Sequence, residues 1–358
     1  MTQAQLNMVW EVAAASLLLL ALLWWLARGA RRWARQRSLR QALARAGGGA
    51  APALAQTFSQ ARQALQPGAA RLRRHALYAR PWVLFLGDDA SRVPQLLRAA
   101  DMQGAAPHGD AGDSFWRWWL MPGLVAIETD PRLVALDDES TLAARQLLGN
   151  WYESLRILAD QRGALPLDGI ALCVDARSLL AGPQAASDLA ARLRQRADEA
   201  SQHLRLRLPT QVLVTGLDRL PGYAAVHAAL PDDVLAQVVG FRVPSGTLVI
   251  IDDVLNDLFD RLRALRMALL REQVDAQGRL AVHEFFVQWL ALQAGLGGLL
   301  KRLFAPATTA APYRLRGRGL YFIAAPAASS SAKAQAPAFV ADLFSRFLPL
   351  ERAFRRAR

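Results

Sequence analysis

Cysteine is nearly absent. The 358-residue sequence contains only Cys173, so no internal disulfide framework can form. Cys173 lies in the apolar run GIALCVDA, which predicts a buried, unreactive thiol rather than a nucleophile. Histidine is also scarce, and the five histidines are scattered, without cysteines or carboxylates at ligand spacing. We therefore expect no metal site.

Acidic residues are missing between Glu11 and Asp88, although this interval holds twelve arginines. These arginines account for nearly the whole formal net charge of +13, and the rest of the chain is close to neutral. A chain-wide basic surface for nucleic acid is therefore not supported.

One long apolar run, MVWEVAAASLLLLALLWWLA, covers residues 8–27. Its length corresponds to about 30 Å of helix, enough to cross a bilayer. Arginines begin at Arg28 and none precedes the run, so the positive-inside rule predicts a short periplasmic N-terminus over residues 1–7 and a cytoplasmic remainder. We expect one transmembrane helix over residues 8–27. A cleaved signal peptide is the competing interpretation, which the absence of a basic segment before the run disfavours.

After the apolar run, residues 28–73 have the pattern of basic juxtamembrane helices and a linker. Five later segments have the composition of buried strands, with helical patterns between them: WVLFLG, GLVAIET, GIALCVDA, TQVLVTGLD and RGLYFIAA. This alternation predicts an α/β fold, with a mostly parallel, doubly wound sheet of the P-loop NTPase-like kind preceded by the transmembrane helix.

The boundaries follow from shifts in this pattern. We expect a degenerate P-loop NTPase-like domain over residues 74–251 and a helical extension over residues 252–305. Residues 306–358 are expected to complete the domain with a final strand, a low-complexity loop and a C-terminal helix. The tryptophan-rich segment Phe115–Leu120 has two interpretations, of which packing in the core is favoured over a partner-binding patch.

The loop after the first predicted strand, GDDASRVP from Gly87, has the outline of a phosphate-binding loop. A working loop needs G-x-x-x-x-G-K-[ST], in which glycines admit the phosphates, lysine binds the outer phosphates and a hydroxyl binds magnesium. Here RVP replaces the last glycine, the lysine and the hydroxyl, while Asp88 and Asp89 place carboxylates where a polyphosphate would lie. Like charges ~4 Å apart repel by about 1 kcal/mol even in water, so we expect no nucleotide cofactor.

Two other strand ends are degraded in the same way. A switch loop D-x-x-G would need an aspartate and a glycine where this sequence has Glu128 and Pro131, and proline has no amide to donate. A guanine-binding motif [NT]-K-x-D would need a lysine at Gly216, although Asp218 is present. The positions that we interpret as vestigial, with no catalytic, cofactor or metal role, are Gly87, Asp88, Asp89, Ser91, Arg92, Glu128 and Asp218.

The segments YARPWVLFLG, LVAIETDPR, PLDGIALCVDARSLL, RLPTQVLVTGLDRLPGYAAVHAALPDDVLAQVVGF and RGRGLYFIAAP occur in this order. Together they resemble the cytoplasmic region of the TssM/IcmF-type inner-membrane proteins of type VI secretion systems, most closely over Thr215–Phe241. The resemblance implies a GTPase-like fold with a helical extension, in the bacterial inner membrane beside other components of the secretion machine and facing its baseplate. Usual members also have a two-helix N-terminal hairpin, a third span and a large periplasmic part, so we expect a short form.

The favoured hypothesis is a membrane-anchored, non-catalytic scaffold whose pseudo-NTPase domain docks other membrane-complex and baseplate proteins, with homo-oligomerisation left open. A second hypothesis is an active or nucleotide-gated NTPase in which Arg92 replaces the phosphate-loop lysine. A third is an adaptor or regulator in another, related machine.

Overall fold

The computed structural model describes residues 3–48, 51–65, 77–101, 115–163, 165–243, 251–305, 313, 315–326 and 336–350. Parts of three predicted segments lie outside the described residues, namely the linker at 66–73, the low-complexity loop at 327–335 and the C-terminal helix beyond Leu350.

Two helices precede the sheet, α1 at Gln3–Ala46 and α2 at Ala51–Leu65. The second half of α1 packs on the domain, where Leu39 is fully buried and Arg35 Nη1 donates to Gly163 O at 3.0 Å. Phe58 of α2 is also buried, so both helices contribute to the core.

The prediction of a transmembrane helix over residues 8–27 is wrong. Across the described parts of the chain, no helix offers a stretch of sufficient length and apolar character to span a bilayer. The apolar run is the first part of the 44-residue helix α1, which continues without a break into the arginine-rich half that packs on the domain.

Seven strands form one mixed sheet: β1 (Trp82–Gly87), β2 (Trp116–Leu120), β3 (Val125–Thr129), β4 (Gly169–Asp175), β5 (Pro209–Thr215), β6 (Val239–Arg242) and β7 (Arg316–Phe322). Their order is β2-β3-β1-β4-β5-β7-β6. The five central strands are parallel, whereas β2 and β6 pair antiparallel at the two edges. The sheet is thus mixed, with β1 near its centre.

Nine further helices complete the described chain: α3 (Val93–Ala100), α4 (Leu142–Gln161), α5 (Ala176–Leu180), α6 (Pro183–Leu204), α7 (Tyr223–Ala229), α8 (Asp232–Ala236), α9 (Ile251–Glu272), α10 (Ala276–Phe304) and α11 (Leu348–Leu350). A π-helical turn at Leu343–Phe347 leads into α11. Short 3₁₀ turns at Asp89–Ser91, Pro131–Leu133 and Leu217–Arg219 follow β1, β3 and β5.

Alternate residues of each central strand face opposite sides of the sheet, and both sides are buried. On one side, Leu84 and Leu86 of β1 belong to a large core that also includes Leu193 of α6 and Trp289 of α10. On the other side, Val83 and Phe85 belong to a smaller core closed by α3 and the C-terminal turn, where the rings of Phe85 and Phe344 stack with centroids 5.9 Å apart. Burial on both faces explains the continuous apolar runs of these strands.

Two predictions about single residue types are confirmed. Trp118 and Trp119 of β2 are 1% and 2% exposed, so they pack in the core. Cys173 of β4 is fully buried, and burial raises the pKa of its thiol, which keeps it protonated and unreactive.

Candidate functional site

The loop after β1 forms a closed turn. Asp88 precedes the 3₁₀ turn Asp89–Ser91, and its Oδ1 accepts a hydrogen bond from Ser91 N at 3.0 Å. The Ser91 hydroxyl donates to Asp88 O at 2.6 Å. Arg92 then adopts a left-handed conformation, with φ 48° and ψ 47°, before α3 begins. A backbone amide that a phosphate loop would offer to its ligand is therefore used by the loop's own carboxylate.

Side chains fill the space beside Gly87. Ser91 is fully buried, and a Cβ built on Gly87 would meet the Ser91 hydroxyl and lie 3.0 Å from both Cys173 Cβ and Val93 Cγ2. Val93 stands at the lysine position of the phosphate-loop pattern and is 4% exposed. Because an apolar side chain at this position packs inward, the loop keeps its turn glycine but closes around its own residues.

The end of β5 holds this turn from the neighbouring side. Thr215 Oγ1 donates to Ser91 O at 2.8 Å. Arg219 Nη2 donates to Ala90 O at 3.1 Å and forms an ion pair with Asp175 at the end of β4. The carboxyl ends of β1, β4 and β5 are thus joined by side chains of the protein at the edge where a doubly wound fold binds ligands.

Gly216, at the position of the guanine-motif lysine, makes this arrangement possible. It has φ +80°, a left-handed conformation that favours glycine. A Cβ at this position would lie 2.5 Å from Asp175 Oδ1 and 2.8 Å from Arg219 Cζ. The missing lysine therefore corresponds to space that the Arg219 guanidinium needs.

Glu128, at the switch-loop position, is bound within the sheet. Its carboxylate pairs with Arg117, which lies opposite it on β2, and accepts from Trp119 Nε1 at 2.9 Å. Burial raises the pKa of Glu128, opposed by the charge of Arg117 and the hydrogen bond from Trp119. Both carboxylate oxygens therefore have partners on β2.

Asp218, at the guanine-motif position, also has a partner within the chain. Its Oδ1 accepts from Ala325 N at 3.1 Å, just beyond β7. In contrast, Asp89 and Arg92 are exposed at the surface of the turn. The structure thus places Asp88 and Ser91 together, Glu128 of β3 against β2, and Asp218 against the end of β7.

Two carboxylates of this edge have shifted pKa values. Burial raises the pKa of Asp88, an effect that the hydrogen bond from Ser91 N opposes. Burial likewise raises the pKa of Asp175, and the positive charge of Arg219 opposes it. Their charged forms are therefore destabilised by loss of solvent and kept in place by internal donors.

Sequence reasoning missed the residues that close this edge, namely Asp175, Thr215 and Arg219. Two signals were available. Asp175 and Thr215 both end buried strands of a parallel sheet, so their side chains meet at one edge, and Arg219 follows the retained Asp218. Within the described residues, no cluster of three or more histidine, cysteine, aspartate or glutamate side chains is arranged to hold a metal ion.

Comparison with known proteins adds two findings. The family model described as the IcmF-related N-terminal domain matches residues 148–357. The type VI secretion system component TssM1 of Pseudomonas aeruginosa is 29% identical to this chain over 267 residues, which is 70% of the chain and 24% of TssM1. The chain thus spans about a quarter of the length of this relative.

Proposed function

Because the chain belongs to the IcmF-related N-terminal domain family, we propose that it acts in a type VI secretion system as a non-catalytic docking subunit. In this proposal a pseudo-NTPase domain contacts other membrane-complex or baseplate proteins at the bacterial inner membrane. The relative TssM1 is, by its name, a component of such a system, and its similarity to the chain supports the assignment to type VI secretion.

One observation carries the non-catalytic part of the proposal, the internal occupation of the edge where a nucleotide would bind. Asp88 accepts a hydrogen bond from Ser91 N, and Thr215 Oγ1 donates one to Ser91 O. Arg219 connects Ala90 O with Asp175. A nucleotide would have to break these contacts and expose a buried carboxylate, without a lysine or a magnesium-binding hydroxyl in return.

Calorimetric titration of the purified full chain with GTP and with ATP, each with magnesium, tests this part. We expect no binding at millimolar nucleotide. The Arg92→Glu variant separates the proposal from the NTPase hypothesis, because Arg92 is exposed and removing it should change nothing. Micromolar binding by the wild-type chain that Arg92→Glu abolishes would establish the NTPase hypothesis instead.

A complementation assay tests the docking part. Deletion of the gene should stop export of the secreted tube protein, and expression of the wild-type chain should restore it. The Arg92→Glu variant should restore export equally well. Full export from the deletion strain would refute a role in type VI secretion and favour an adaptor of another machine.

A further inference from the structure

We infer that the Arg219–Asp175 ion pair is an internal substitute for a bound ligand, which clamps the carboxyl ends of β1, β4 and β5 and keeps the loop after β1 closed. The loop then has one conformation with no ligand present. This edge presents a fixed surface instead of a nucleotide-dependent one, whichever machine the chain belongs to.

The contacts of Arg219 join three segments. Its Nη2 donates to Ala90 O in the turn after β1 and pairs with Asp175 at the end of β4. Its backbone carbonyl, just beyond β5, accepts from Arg177 Nη2 at 2.7 Å. A single guanidinium therefore neutralises a carboxylate and satisfies a loop carbonyl, as a bound cation would do at a strand edge.

Burial makes the pair difficult to open. The Asp175 side chain is 4% exposed and that of Arg219 14%. Loss of solvent destabilises the Asp175 carboxylate, and Arg219 is its compensating charge. Movement of Arg219 to solvent would leave the buried carboxylate without its charge partner, so the closed arrangement is favoured.

The local backbone leaves space for this ion pair. The conformation of Gly216 and its lack of a Cβ clear the path along which the Arg219 guanidinium reaches Asp175. Thr215, the residue before it, contributes an uncharged second contact through Ser91 O. The sequence TGLDR thus supplies a hydroxyl, an open space and a cation within one turn.

Hydrogen exchange of the amides of residues 88–92 in the full chain tests the clamp. We expect Arg219→Ala to accelerate exchange of these amides about tenfold or more, since one partner of a mostly buried pair is lost. Arg132→Ala is the matched control, because Arg132 pairs with Asp130 at the end of β3 but is 75% exposed. It should leave the exchange of residues 88–92 unchanged.

Two further variants keep the test decisive if Arg219→Ala does not fold. Asp175→Asn keeps the side-chain volume and removes the charge, and Arg219→Lys keeps the charge but replaces the planar guanidinium whose Nη2 contacts both Ala90 O and Asp175. Both should accelerate the same amides. Wild-type exchange in these variants would overturn the clamp and leave the docking proposal standing, whereas nucleotide binding by the wild-type chain would overturn both the substitution of the ion pair for a ligand and the non-catalytic part of the docking proposal.

Discussion

The two ends of the central strands carry buried arginine–aspartate pairs that differ in their surroundings. At the amino end, Arg162 Nη1 pairs with Asp168 at 2.8 Å, and Asp168 also accepts from Trp82 N at 2.9 Å. At the carboxyl end, Arg219 pairs with Asp175. The amino-end pair is 1% and 4% exposed and lies against the Trp82 ring, 4.7 Å from its centroid, while the carboxyl-end pair reaches a loop.

The two pairs lie at opposite edges of the sheet, and only one of these edges is the candidate ligand site. Ligands of open α/β sheets bind outside the carboxyl ends of the strands, so the buried ion pair at the amino end, which joins β1 to β4, belongs to the architecture of the sheet. The carboxyl end, where ligands bind in such folds, carries the same kind of pair, between the end of β4 and the turn after β5, with a further contact to the loop after β1. Side chains of the protein therefore join the strands at both ends of the sheet.

The largest effect is expected at the amino end. Arg162→Ala removes the charge that compensates Asp168 and the donor to Leu77 O at 3.0 Å. We expect the free energy of unfolding to fall by about 3–5 kcal/mol, measured by chemical denaturation. A smaller loss of stability than Arg219→Ala causes would show that the carboxyl-end pair contributes more to stability than the amino-end pair.

Gly216→Ala should have the next largest effect. The new Cβ would clash with the Arg219–Asp175 pair, and the positive φ would be strained, so we expect a loss of about 1–3 kcal/mol. Gly297→Ala in α10 is the control, because a Cβ there meets nothing within 4 Å. Equal stability of Gly216→Ala and wild type would show that a Cβ at residue 216 fits beside the Arg219–Asp175 pair.

Arg219→Ala should cost less than Arg162→Ala, about 1–2 kcal/mol, because the carboxyl-end pair is more exposed and the Thr215 contact remains. Thermal and chemical denaturation of the same variant should agree on this order. A cost as large as that of Arg162→Ala would mean that both ends are equally essential.

The smallest effect is the pH dependence that Asp88 contributes to stability. The pKa of Asp88 is raised above its ordinary value of 3.8, so its contribution to stability is present below that value and is lost as the pH rises through the folded pKa. Asp88→Asn should therefore gain stability relative to wild type between pH 4 and pH 7, by less than about 1 kcal/mol. Denaturation at both pH values measures this difference. A constant difference would contradict burial as the cause.

The sequence was sufficient to identify strands that are apolar on both faces. The runs that became β1, β3, β4, β5 and β7 were recognisable because both faces are buried. The two edge strands, β2 and β6, were not identified from the sequence. In β2 three tryptophans conceal the alternation of the strand, and β6 has three partly exposed residues and one exposed residue in a segment without a clear apolar run.

The candidate site likewise has features that the sequence showed and features that it did not. The absence of the lysine and the hydroxyl could be read directly at Arg92–Pro94, because a motif either contains a residue type or does not. The ends of the buried strands pointed to this edge, but the pairing of Arg219 with Asp175 was missed, because the two residues are 44 positions apart and meet only through the parallel pairing of β4 with β5. Pairing of this kind is a property of topology, which local patterns do not specify.

Contacts within the protein close the loop after β1. Hydrogen exchange of the Ser91 and Arg92 amides in the wild-type chain, with and without millimolar magnesium and GTP, tests this closure most directly. We predict slow exchange that nucleotide does not change, because Asp88 and Thr215 already hold this turn. Fast exchange that slows when nucleotide is added would show an open, ligand-dependent loop and contradict the account.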